Sequence, residues 1–412
     1  MRMTNTAPLI QAPNWWALEH PLWMCAMRPF FVLTIGSAVL LVALWSAVLA
    51  LGLPPPRVAG GALVWHAHEL LLGFCLAAVA GFVLTAVPEF TATASASPRT
   101  GRLLVLLWLL GRLGVWLSGA AGLPALALAA LAHLGLIGGL LILLLPALRT
   151  VAGRRQHAFG WALAALFLLA AGFYVDALRG QYPMRWLLAV LGLVMVLIIV
   201  AMSRISMRIV NRSIDEAGEG GAPYLARPPK RNLAILCIVL FTLAEFWHPG
   251  GRVSGWLAYS AAAALCNLMG DWHVGRPLLR RWPFMLYAVY VCMALGYALI
   301  GTALLAGGPG ASAGRHLLTM GALGLSIYVV ISIAGRAHCG HPSDERPWVV
   351  QGALLIGAGA MLRAGTAFAP EAATALLGMA GMCWVGSFGL MALRMLPVLW
   401  GPRPDGGRGC EG

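Results

Sequence analysis

Charge is what this sequence has least of. Only 10% of its 412 residues are Asp, Glu, Lys or Arg, and just 14 are acidic, whereas a soluble domain carries about a quarter charged residues. With 60% of the side chains hydrophobic, that scarcity excludes a large soluble domain. Metal-ribbon spacing is missing as well. Cysteines stand at 25, 75, 237, 266, 292, 339, 383 and 410 with no C-x-x-C pair and no disulfide-like spacing, which excludes zinc ribbons and disulfide-built scaffolds. The apolar runs lack strand alternation and are dominated by Leu, Ala and Gly, which excludes a transmembrane barrel. Residues 1–29 have no leader-type cleavage site and run into an apolar stretch too long for a leader. The first span is therefore expected to stay.

What remains is a series of long apolar runs. A helix crosses the hydrocarbon layer in roughly 20 residues. Runs bounded by Pro, Gly and Arg place spans at 30–53, 62–87, 103–120, 123–147, 159–178, 186–203, 233–248, 253–270, 284–306, 316–335, 349–368 and 373–396. The expected fold is all-α: a polytopic integral membrane protein of about 12 transmembrane helices, forming one membrane domain over residues 1–412. The connection 204–232 contains Gly218, Gly220, Gly221, Pro223, Pro228 and Pro229 and reads as a flexible cytoplasmic linker between two six-helix halves.

The formal charge of +14 follows from where the cations fall. On alternating sides of these spans, most Lys and Arg share the side of the N-terminus. Arg57, Arg179, Arg185, Arg252 and Arg315 fall on the opposite side, and Arg112 and Arg363 lie within spans. The positive-inside bias puts both termini in the cytoplasm. The basic balance is then topology, so the expected partner is the lipid bilayer and no nucleic acid.

Ionisable groups sunk in apolar runs are costly and mark candidate sites. The densest set is Trp65-His66-Ala67-His68-Glu69 in the second span. At about 100° per residue, His66 and Glu69 share a face, whereas His68 points roughly 160° from His66. One regular helix cannot aim both imidazoles at one metal, so two neighbouring sites are expected. Arg315-His316 opens the tenth span and His248 closes the seventh, both at the same membrane face as His66. Paired imidazoles hold haem iron, and imidazole also suits copper. Beyond the tenth span, Arg336-Ala337-His338-Cys339-Gly340-His341 offers a soft ligand set for copper or zinc. His316 and His338 are separated by about 33 Å of helix and cannot share an ion. Arg28, Arg204, Arg208 and Arg336 stand at inner ends as partners for haem propionates or lipid headgroups. Met24, Cys25 and Met27 form a sulfur-rich patch that reads as adaptable packing. Glu245, Asp176, Arg112 and Arg363 are candidates for internal ion pairs.

Several segments resemble the NnrS family: Met27-Arg28-Pro29-Phe30-Phe31, Trp65-His66-Ala67-His68-Glu69-Leu70 with Gly73-Phe74, and Ala80-Gly81-Phe82-Val83-Leu84-Thr85-Ala86-Val87-Pro88. Leu110-Gly111-Arg112-Leu113, His316 with Thr319 to Gly324, Arg336 with Gly340-His341, and Pro397 with Pro402-Arg403-Pro404-Asp405-Gly406 extend the match from end to end. The resemblance implies a twelve-span, multi-pass protein of the bacterial inner membrane. It also implies binding of haem and copper and a part in resistance to nitric oxide and nitrosative stress. It singles out His66, His68, Glu69, His316 and His341. The chain departs from the family pattern at Met207-Arg208-Ile209-Val210, at Tyr287 in the ninth span where His is usual, and at His338-Cys339.

The expected function is therefore a haem- and possibly copper-binding membrane protein that handles nitric oxide. His66 or His68 with His316 supply the outer ligands, Glu69 orients an imidazole, and His341 serves a separate inner site with His338 and Cys339. No residue is assigned a catalytic role. The alternative is a secondary transporter with a polar midplane site.

Overall fold

The computed structural model describes residues 14, 16–218, 223–407 and 409–410, and these are helical with no strand. Gly220 and Gly221 of the expected linker, and Arg2 and Arg408, lie outside the described residues. Twelve long helices follow one another: α1 (Met27–Leu51), α2 (Ala62–Thr91), α3 (Pro98–Ala121), α4 (Leu123–Leu148), α5 (His157–Leu178) and α6 (Met184–Ala217). They continue as α7 (Pro228–Trp247), α8 (Arg252–Met269), α9 (Arg281–Ala306), α10 (Gly310–Ala337), α11 (Trp348–Gly365) and α12 (Ala373–Trp400). Among the described residues ten are long and apolar enough to cross a membrane, all but α7 and α8. Those two occupy the expected seventh and eighth positions. α7 carries Lys230, Arg231 and Glu245, and α8 mixes Arg252, Tyr259, Ser260 and Asn267 with its alanines.

Local chemistry sets the helix ends. Ser97 accepts a hydrogen bond from the Thr100 amide while Pro98 starts α3, so the cap meets one of the helix's orphan donors. Gly52 ends α1 in the left-handed conformation at φ +71°, which a residue without Cβ adopts without strain. α3 and α4 meet backbone to backbone at Gly114, where an added Cβ would sit 2.6 Å from the Ala125 carbonyl oxygen. Small residues permit such close approach between helices in lipid.

α2, α6 and α10 form the centre. Within their apolar windows 83%, 67% and 72% of residues are buried, against 28–44% for the other seven spanning helices. α1 packs on α12, α3 on α4, α8 on α9 and α11 on α12 around this centre. Because α10 passes from Gly310 to Ala337, its two histidine clusters mark opposite ends of the bundle, called here the His66 end and the His341 end.

Two expectations are corrected. The flexible linker over 204–232 is helical as far as Ala217, because Ser206, Val210, Ser213 and Ile214 give the extension a buried face. The second concerns Cys25 and Cys410, 385 residues apart in sequence, whose Cα atoms the structure brings to within 5.0 Å. The packing of α1 on α12 brings residues 25 and 410 together, and spacing in sequence cannot register that. His20 also meets the Trp400 ring edge-on, and Arg28 donates to the Gly401 carbonyl at 2.7 Å.

Candidate functional site

Immediately after His68, α2 widens into a π-helical segment over Glu69–Cys75, and immediately after His316, α10 does the same over Leu317–Gly324. Such segments are rare and recur at functional sites. Each holds a glycine five residues past its histidine, Gly73 and Gly321. At Gly73 a Cβ would lie 2.5 Å from Arg112 Nη1, and at Gly321 it would lie 2.9 Å from Cys292 Sγ. The missing side chains admit neighbours from other helices.

The helix remains regular through His68, so His66 and His68 face apart as the periodicity predicts. His66 stacks on Trp45 with ring centroids 4.5 Å apart. It lines a cavity of about 180 Å³ together with Arg315, His316, Thr319, Arg363 and Trp384. His316 Nδ1 donates to the Ser312 carbonyl at 2.8 Å. That bond fixes the tautomer and leaves Nε2 with a free lone pair. The structure thus brings His66 and His316 to one cavity, where Arg315 and Arg363 add positive charge. Glu245 lies 3.8 Å from Arg315, and Arg363 donates to Thr366 Oγ1 at 2.9 Å.

His68 belongs to a different constellation. Arg112 has only donors, so its Nη2 donates to His133 Nε2 at 2.6 Å. His133 must then carry its proton on Nδ1, which donates to the Tyr174 hydroxyl oxygen. Tyr174 donates onward to His68 Nε2 at 3.0 Å, and His68 Nδ1 donates to Glu69 Oε1 at 3.3 Å. Arg112 Nη1 closes the ring on the same carboxylate oxygen at 2.7 Å, and Trp116 Nε1 donates to Oε2 at 3.0 Å. Each proton position follows from the one before it. His68, Glu69, His133 and Tyr174 are all buried, and both nitrogens of His68 are used. Here His68 has a hydrogen-bonded role, with Glu69 orienting it.

Residue-type reasoning missed His133 and Tyr174. Each is a lone polar group in an apolar run, and the only available signal was that His133 sits mid-span. Arg112, whose partner the sequence leaves open, pairs with Glu69. Asp176 pairs with Arg185 at 2.9 Å and accepts from Trp186 at 2.7 Å.

At the other end a cavity of about 460 Å³ is lined by His338, His341, Arg204, Arg208, Arg212, Glu89 and Glu216 over an apolar floor that includes Phe31 and Phe82. His338 Nδ1 donates to the Cys410 carbonyl at 2.6 Å, and its Nε2 lies 3.5 Å from Glu89. Burial, followed by the cations Arg336 and Arg28, holds the His341 imidazole below the usual histidine range, against the carboxylate of Asp405. Burial pushes the Cys339 thiol up, against Arg28, Arg403 and Arg336. Cys339 is not part of the cavity lining. Among the described residues, no three His, Cys, Asp or Glu side chains form a metal-holding group. The soft set expected from His338, Cys339 and His341 is therefore not assembled.

Arg28 and Arg336, expected at haem propionates or lipid headgroups, make their contacts within the protein. Arg28 is fully buried and donates to the Pro21 and Gly401 carbonyls. Arg336 donates to the Pro342 carbonyl at 2.8 Å and pairs with Asp344 at 3.3 Å. Neither lines the cavities at the two ends.

Comparison with known proteins adds one match. A family model described as NnrS protein covers residues 21–403, nearly the whole chain. No curated protein matches the chain.

Proposed function

Because the chain belongs to the NnrS family, we propose that it is a haem- and copper-binding protein of the bacterial inner membrane that handles nitric oxide. In this reading the helices make twelve spans, the termini are cytoplasmic, and the His66 end faces outward. The excess of Lys and Arg on the other side supports that orientation.

The observation that carries the proposal is the His66–His316 pair. His316 is oriented by a backbone carbonyl, as metal-ligating histidines usually are, and shares a cavity with an imidazole clamped on Trp45. Two neutral imidazoles suit copper or iron. The volume of about 180 Å³ falls below the ~300–1,000 Å³ typical of ligand pockets. It suits an ion with a small ligand, whereas a tetrapyrrole would have to displace lining side chains. The cavity of about 460 Å³ at the His341 end lies within that range. There His341 offers an imidazole, and Arg204, Arg208 and Arg212 offer cations for carboxylates.

We therefore assign copper to His66 and His316 and haem to the His341 cavity, which moves haem away from the outer histidines expected from sequence. A bound iron or copper ion supplies direct binding of a diatomic ligand. The chain's own residues orient the imidazoles and exclude water. Absorption spectra and metal analysis of purified protein test the assignment. Copper should be lost in His66→Ala and His316→Ala with the Soret band kept. The Soret band should be lost in His341→Ala and should shift with nitric oxide in the unsubstituted protein. Unchanged copper and haem in all three variants overturns it. The transporter alternative requires a polar midplane site, and the cavity between the two ends is lined by apolar residues apart from Cys75 and Ser326.

A further inference from the structure

Between the two histidine cavities lies a third, of about 80 Å³, lined by residues of α2, α5, α6 and α10 with Phe31 of α1. It shares lining residues with both neighbours. Phe31, Phe82 and Val330 line it together with the His341 cavity, and Leu323 lines it together with the His66 cavity. Its walls contain no charged residue. Of its two polar side chains, the Ser326 hydroxyl already donates to the Leu323 carbonyl at 2.9 Å, and Cys75 is buried with its thiol hydrogen the only weak donor left. A water molecule needs two to four polar partners, and an apolar cavity of about 150 Å³ without them stays dry and takes up benzene or xenon.

We propose that this middle cavity is a dry chamber that binds a small neutral apolar molecule, of the class of a diatomic gas, between the two histidine sites. The walls select by solvation. An ion or a water molecule would enter without a partner, which costs several kcal/mol for a single polar group, while a neutral diatomic has little hydration to lose. Dispersion contacts from Val194, Leu197, Ile198 and Ile327 would hold it. The chamber's occupancy rests on geometry alone. Only the identity of the physiological gas rests on the function proposed above.

Xenon is the probe, because it requires neither haem nor copper. Hyperpolarised xenon NMR of the full chain in nanodiscs should show a saturable bound signal. Ala201→Phe fills the chamber from α6 and should abolish that signal, and the smaller Ala78→Val should weaken it. Circular dichroism and monodisperse elution show which variants remain folded, and Ala78→Val guards against a misfolded Ala201→Phe. Absence of a saturable xenon signal in the unsubstituted protein, or an undiminished signal in a folded filling variant, overturns the chamber. Either result leaves the copper and haem assignment to its own spectra.

Discussion

The Tyr174 hydroxyl lies 3.0 Å from His68 Nε2 and also receives the proton of His133 Nδ1. Through this one oxygen, α2, α4 and α5 share a hydrogen-bond ring whose direction is dictated by Arg112, a group with no acceptor. Tyr174→Phe keeps the ring's shape but strands two buried imidazole nitrogens. Thermal unfolding in detergent should show a loss of about 1–3 kcal/mol with copper content unchanged. An unaltered melting curve would mean that the bridge contributes nothing.

Glu69 and Arg112 form the ring's charged pair, at 2.7 Å and almost out of reach of solvent. Removing one partner of such a pair costs about 3–5 kcal/mol, whereas replacing both with apolar groups of similar volume costs far less. Glu69→Gln should therefore destabilise by about 3–5 kcal/mol, and combining it with Arg112→Met should cost less than the sum of the two single changes. A double-mutant cycle on unfolding free energies checks this, and additive losses would contradict it.

Gly73 tests the same ring sterically. A methyl group added there arrives 2.5 Å from Arg112 Nη1, the nitrogen held by Glu69. Gly73→Ala should cost about 1–3 kcal/mol, as overpacking does, and in an Arg112→Met background, which carries its own loss from the unpaired Glu69, the same glycine change should cost much less. Equal melting temperatures for Gly73→Ala and the unsubstituted protein would show that the guanidinium moves aside freely.

The sequence made much of this legible, and the limits have physical causes. Apolar run length locates the long helices, and α7 and α8 fall short of the rest only because their charges and hydroxyls dilute the run. Helical periodicity separates His66 from His68, since the helix stays regular through both. The meeting of His66 with His316 was legible as two imidazoles at one membrane face. The partners of Arg112 were not, because His133 and Tyr174 are brought to it by packing between helices, which no local pattern records. The π-helical widening after each histidine is equally invisible to a 3.6-residue period.

Asp344 carries a pH dependence outside the spans. The Arg346 side chain, the Arg346 amide, the Trp348 indole and the Arg336 cation hold its carboxyl well below the usual range, against the effect of burial. A carboxyl depressed on folding contributes stability that is fully present above its unfolded value of about 3.9 and is lost as pH falls through the lower folded value. Unfolding temperatures should therefore drop on the acid side of about pH 4. Asp344→Asn should lower stability at neutral pH and flatten that acid limb. A limb of unchanged steepness would place the acid sensitivity elsewhere.

The two histidines of α2 should separate binding from stability. His66 has an aromatic clamp and a cavity, so His66→Ala removes a proposed ligand without breaking the ring. His68→Ala leaves Glu69 and Tyr174 each without a buried partner, at a cost of about 1–3 kcal/mol for each stranded group. The expected pattern is reciprocal: copper lost with the melting temperature kept for His66→Ala, and the melting temperature lowered with copper kept for His68→Ala. Adding Tyr174→Phe to His68→Ala should cost little more, because the bridge has already lost one end. If His68→Ala sheds copper while its melting temperature holds, the ring is a ligand sphere and the division of labour between the two faces of α2 is wrong.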